Sequence, residues 1–122
     1  NYGRLQAIDV GTRRTLWTIR QRAPHTTGVL ATAGGVVFAG TLDRYLRAYD
    51  AADGRVLWQA RLSDVSSAPP ISYGVNGRQY VAIVAGQGGF HFASYAPLVP
   101  EIRNPSDRGS AVWVFEVPDP VR

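Results

Sequence analysis

Few side chains in this sequence could do chemistry. Its 122 residues hold two histidines, His25 and His91, and no cysteine. Disulfides, thiol catalysis and thiolate metal sites are therefore excluded. Neither His has an acidic neighbour close in sequence, which is a poor start for a metal site, and each reads as a surface His in a loop. No Gly-x-Ser-x-Gly occurs, so a hydrolase built on Ser, His and Asp lacks its nucleophile elbow. Among the acids, Asp43 and Asp53 fall in turns, while Asp9 and Asp50 recur at matched places in a repeat. All thirteen basic residues are Arg and the net charge is +4. A nucleic-acid surface would gather them on one face. Here they are scattered from Arg4 to Arg122, with Arg13, Arg14, Arg20 and Arg22 the nearest thing to a patch, and they read as a solvated surface. No apolar run approaches the roughly 20 residues of a membrane span. Asn1 to Arg22 also lacks the basic head and apolar run of a signal peptide.

The elements that must position these residues come from a repeat. Leu5, Ala7, Asp9, Leu16 and Trp17 recur as Leu46, Ala48, Asp50, Leu57 and Trp58, always 41 residues on. A period of about 40 to 45 residues is that of a four-stranded propeller blade. Strands are expected over 4–10 and from Thr15 to Ile19. Further strands follow at 28–32, 36–40, 45–50 and 56–61, with Ala33-Gly34-Gly35 and Asp53-Gly54 in turns. The next blade opens at 70–75, turns at Asn76-Gly77, a strong hairpin signal, and continues over 79–85. A long Gly- and Pro-containing loop over 86–109 has the length of a functional loop or lid. The last strand, 111–117, is ended by Pro118 and Pro120. The fold class is thus all-β, with blades at residues 1–21 (half), 28–62 (whole) and 69–117 (lacking its fourth strand). A partial ring of two to three blades leaves apolar faces open, so the expectation is a larger ring or self-association.

The repeat resembles the tryptophan-docking motif, Ala-x-Asp-x-x-x-Gly-x-x-x-Trp. Ala48, Asp50, Gly54 and Trp58 match every fixed position, and Ala7, Asp9 and Trp17 match three, with Arg13 in place of Gly. A small Ala admits a neighbouring indole, and Gly offers a flat peptide for it to stack on. From this, Trp17 and Trp58 are both expected to be largely buried on outer strands, with Trp58 the better docked. The segments Gly28–Phe38, Gly40–Asp43, Asn76–Ala82 and Ala85–Gly89 are similar, in order and spacing, to blocks of the pyrroloquinoline quinone (PQQ) dependent alcohol and glucose dehydrogenases.

That resemblance implies the closing blades of an eight-bladed propeller, with PQQ in a central cavity beside a calcium or lanthanide ion. It implies oxidation of an alcohol or sugar by hydride transfer to the quinone, with an Asp as base. The family's metal ligands and catalytic Asp lie upstream of every segment matched here, so no catalytic or metal-binding residue is assigned. The chain alone is accordingly expected to be inactive and to bind no cofactor. Thr26 stands where many members place a Trp or Asn beside PQQ, and Gly88, Gly89 and Phe90 follow the block that approaches the cofactor. These four are the candidate cofactor-binding residues. The family also implies a periplasmic location, and a last blade closed by a strand from the far N-terminus. A non-enzymatic outer-membrane assembly lipoprotein has a similar propeller. A scaffold or binding role is therefore the alternative, and a short chain that oligomerises into a ring is a third.

Overall fold

A computed structural model of the chain describes residues 1–86, 93–103 and 110–118. Three antiparallel sheets follow one another along it. The first pairs β1 (Gly3–Ile8) with β2 (Thr15–Gln21). The second is four-stranded, with β3 (Leu30–Ala31), β4 (Val36–Gly40), β5 (Tyr45–Asp50) and β6 (Val56–Arg61) in sequence order. The third holds β7 (Ile71–Val75), β8 (Arg78–Ala85) and β9 (Ala111–Val117). These are propeller-blade sheets, each strand reversing onto the one before it.

Local chemistry sets the strand limits. β1 stops at Ile8 because Asp9 gathers the turn: its carbonyl accepts from Arg13 N and its Oδ1 from Thr12 N. β3 is only two residues long, against the five expected. Thr27 Oγ1 donates to the Gly28 carbonyl and Gly28 lies against Pro69, so neither residue joins the ladder. Asn76 and Gly77 have φ of 52° and 76°, the left-handed pair that a two-residue hairpin with matching twist requires. Among the described residues helix is limited to a turn at 93–95 and a 3₁₀ turn at Ala96–Leu98. No helix among the described residues is long and apolar enough to cross a membrane.

The main core lies between the second and third sheets. Phe38, Leu46, Ala48 and Leu62 from one meet Val81, Ile83 and Ala85 from the other, and Trp113, Phe115 and Val117 close the side. A fully buried Leu, Ile or Val contributes about 1.5–3 kcal/mol. A second cluster, Leu42, Val65 and Val99, fixes the Ala96–Leu98 segment to the ends of the sheets. The far face of the third sheet is different. Ile71, Tyr73, Val84, Val112 and Val114 are all exposed there.

The two repeated tryptophans behave differently, in the reverse of the expected order. Trp17 is half-buried and donates its Nε1 to the Ala51 carbonyl at 2.8 Å. Its ring lies so close over Gly54 that a Cβ there would sit 2.7 Å from Cε3. The first sheet is thereby pinned to the turn of the second. Trp58 is 38% exposed and meets the edge of Phe115, with ring centroids 4.9 Å apart. The reason is geometric. An indole on one sheet needs the Ala51–Gly54 kind of turn on the next, and the described part of the third sheet offers none beyond Val117. Arg13 is no obstacle, because Trp17 stacks on the Gly of the following repeat rather than on its own.

Candidate functional site

Because each strand reverses on the last, the connections sort to two ends of the sheets. One end holds the short turns 9–14, 32–35, 51–55 and 76–77. The other holds 22–29, 41–44, 62–70 and the passage from Ala85 to Ala111. All the longer connections meet there, and loops held by a rigid scaffold are where function concentrates. Contacts tie them into one layer. Leu42 N donates to Pro24 O, Gly86 N to Val65 O, and Arg22 pairs with Glu101.

Thr26 sits inside this layer. It is buried, its N donates to Gly40 O at 3.1 Å, and its hydroxyl donates to Ser66 O at 2.7 Å. Thr27 Oγ1 accepts from Gly40 N at 2.9 Å. The two threonines brace three neighbouring connections, and the Thr26 hydroxyl proton is already committed to protein. Gly88, Gly89 and Phe90, expected beside it, lie outside the described residues, as does His91.

His25 is not the surface residue expected. Both ring nitrogens are buried and make no hydrogen bond of good geometry, and its backbone bridges to Thr41. Burial, and secondarily the Arg47 charge, hold its pKa below the ordinary His value. The nearby Gly40 carbonyl and Asp43 pull weakly the other way. His25 is therefore neutral at pH 7.

Two features escaped the sequence. Asp64 is fully buried at this end: Oδ1 accepts from Val65 N at 2.7 Å, and Oδ2 has no hydrogen-bond partner. It lies within Ser63–Ser67, and no spacing in the sequence marks it out. The second feature is a cavity of about 410 Å³ walled by Tyr2, Arg4, Pro24, His25, Tyr95 and Leu98. Only the fold brings these residues together, across 96 positions of sequence. Arg22 touches two of these residues and pairs with Glu101: it donates to Leu98 O at 3.2 Å and lies over the Tyr2 ring at 5.4 Å.

Two facts among the described residues bear on a metal or a quinone. Among them no three His, Cys, Asp or Glu side chains cluster to hold an ion. Thr26, the one described candidate for the quinone, has its donor engaged by Ser66.

Comparison with known proteins gives these sheets their relatives. The family model for the glucose/ethanol/alcohol dehydrogenase β-propeller domain, named PQQ, matches residues 1–81. A quinoprotein ethanol dehydrogenase of Pseudomonas putida is 36% identical over 120 residues, which is 95% of this chain and 18% of that protein. The structure of the quinohaemoprotein alcohol dehydrogenase of Comamonas testosteroni superposes with a TM-score of 0.65 at 43% identity, covering 70% of this chain and 13% of the other. A europium-containing methanol dehydrogenase gives a TM-score of 0.78 at 28% identity, over 93% of this chain and 23% of the other. The chain thus spans under a quarter of the length of each.

Proposed function

Since the chain belongs to the β-propeller family of PQQ-dependent glucose, ethanol and alcohol dehydrogenases, we propose that it forms the C-terminal blades of such an enzyme, one that oxidises an alcohol or sugar by hydride transfer to the quinone. Residues 1–21 are the outer half of one blade, 28–62 a whole blade, and 69–117 a last blade awaiting its fourth strand. The observation that carries this reading is the 95% coverage of the chain by a quinoprotein ethanol dehydrogenase, which runs past the repeat into the third sheet. A scaffold related only through the docking repeat would not extend so far.

In this reading the chain's own residues hold the wall of the active-site end. Thr26 and Thr27 keep the 22–29, 41–44 and 62–70 connections in register, and 88–90 approach the cofactor from the passage between β8 and β9. The metal ligands and the base that takes the alcohol proton come from other blades. When bound, PQQ would supply the hydride acceptor and a metal would supply Lewis-acid polarisation of the alcohol. The exposed apolar face of β7, β8 and β9 and the open edge of β1 mate with further blades, or with other copies when the chain is isolated. The setting is periplasmic.

Absorbance titration of PQQ into the natural gene product, with and without calcium, tests the reading. Saturable, metal-dependent binding of one quinone per chain is expected. A protein that folds but takes up no quinone with calcium or a lanthanide would leave the scaffold alternative standing.

A further inference from the structure

His25 is a buried titratable group that the proposed redox function does not use. Its backbone bridges to Thr41, and its side chain lines the cavity beside Tyr2, Arg4 and Tyr95. Both ring nitrogens are buried and without a hydrogen-bond partner. A neutral imidazole carries one N–H, and protonation adds a second together with a full charge. Neither N–H would meet an acceptor, and an unpaired buried charge costs far more than an unpaired neutral donor. The charged groups that act on the ring are Arg47 and Asp43, with Arg4 in the same cavity wall. Asp43 is the acid among them, and both its oxygens are in use. Oδ1 accepts from the Thr41 hydroxyl, and Oδ2 pairs with Arg47 Nη2 at 3.5 Å. Arg47 Nη1 also donates to Thr41 Oγ1 at 3.0 Å, which closes a ring of three side chains. Asp43 can serve an imidazolium only by leaving that ring, and the imidazolium would then meet an uncompensated Arg47 charge.

The segment that carries His25 is also what joins three connections. Leu42 N donates to Pro24 O, Thr26 N to Gly40 O, and the Thr26 hydroxyl to Ser66 O. We propose that His25 is an acid-sensitive latch: while neutral it keeps residues 24–27 docked, and when protonated it swings out and frees the Thr26 bonds to Gly40 and Ser66. Once released, the ring titrates at about 6.5, the ordinary His value. The docked ring takes the proton less readily, because it is buried and lies near the Arg47 charge. The released form therefore binds the proton better, and it gains on the docked form as the pH falls below about 6.5. The latch rests on this chain's own side chains and is independent of the quinone chemistry.

Hydrogen exchange of the natural gene product, read by mass spectrometry between about pH 7.5 and about pH 5, tests the latch. After correction for intrinsic exchange rates, opening at residues 24–27 should rise by about fivefold to thirtyfold across that range. Segments within β8 should keep their protection over the same range. Deuterium uptake at the His25 ring carbon Cε1 gives the ring's own midpoint, expected below the ordinary His value. His25→Gln and His25→Phe should each abolish the pH dependence at 24–27. Arg47→Gln frees Asp43 to meet the imidazolium, so it should raise the ring midpoint and weaken the dependence. A ring midpoint at or above the ordinary value, or exchange at 24–27 that does not change with pH, would overturn the proposal. So would a dependence that survives the loss of His25. An equal rise in exchange over the whole chain would also overturn it, since that is global unfolding rather than a local latch.

Discussion

Replacing Gly54 with Ala should cost far more than one methyl group ordinarily does. Gly54 has φ of +79°, where a side chain on an L-residue is strained by about 1 kcal/mol. The new Cβ would also lie 2.7 Å and 2.9 Å from two carbons of the Trp17 ring and 3.2 Å from Ile19 Cδ1. Carbon pairs rest at about 3.5–4.0 Å, so the indole must retreat by roughly 1 Å. Its hydrogen bond to Ala51 O would then stretch beyond 2.8 Å and lose about 0.5–1.5 kcal/mol. Overpacking adds about 1–2 kcal/mol. The total is about 2.5–4.5 kcal/mol. Two glycines in the same chain separate strain from contact. Gly35 and Gly77 have φ of +79° and +76°, and an added Cβ at either meets nothing within 4 Å. Gly35→Ala and Gly77→Ala should therefore cost only about 1 kcal/mol each. Urea denaturation followed by tryptophan fluorescence and circular dichroism reads all three. Equal losses in the three variants would show that Trp17 does not hold the first sheet to the second.

Arg13 occupies the matching place in the first repeat with φ of 60°, so Arg13→Gly should raise stability by about 0.5–1 kcal/mol; a lower denaturation midpoint would refute this. Trp17→Phe, which removes the donor to Ala51, should cost about 1–2 kcal/mol, whereas Trp58→Phe should cost under about 1 kcal/mol; the same denaturation series ranks them, and the reverse order would contradict the observed packing. His25 has a folded-state pKa below its unfolded value, so the unfolded chain binds the proton more readily. The stability this gives is complete above about pH 6.5 and erodes as the pH falls below it. His25→Gln should flatten stability against pH between about 7 and 5, and an unchanged slope would mean the ring titrates as if exposed.

Most of the strand framework was legible in the sequence because it rests on local signals. The 41-residue offset marked two sheets as equivalent, and Asn76-Gly77 fixed one hairpin to the residue. The expected four-stranded unit at 28–62 matches the order of β3 to β6. What failed depended on neighbours distant in sequence. Trp58 was expected to dock better because its own repeat is complete, yet an indole docks on the repeat that follows, and among the described residues Trp17 is the one that meets such a turn. His25 read as a surface loop residue, since nothing in Pro24-His25-Thr26 tells that Gly40 and Thr41 will cover it. Thr26 was singled out as a neighbour of the cofactor, and its hydrogen bond to Ser66, 40 residues on, could not be foreseen. The Arg4 cavity and buried Asp64 were invisible for the same reason. Each is made by connections that only the stacking of sheets brings together.

The central proposal is that these blades build the wall of a quinone-dependent dehydrogenase whose acids lie on other blades. Dye reduction tests it most directly, with ethanol and glucose offered to the isolated 122-residue chain and to the complete gene product, each with PQQ and either calcium or a lanthanide. The account predicts turnover by the complete protein that vanishes without quinone or metal, and none by the chain alone. Quinone-dependent turnover by the isolated chain, or a folded, quinone-loaded complete protein that oxidises neither alcohols nor sugars, would contradict it.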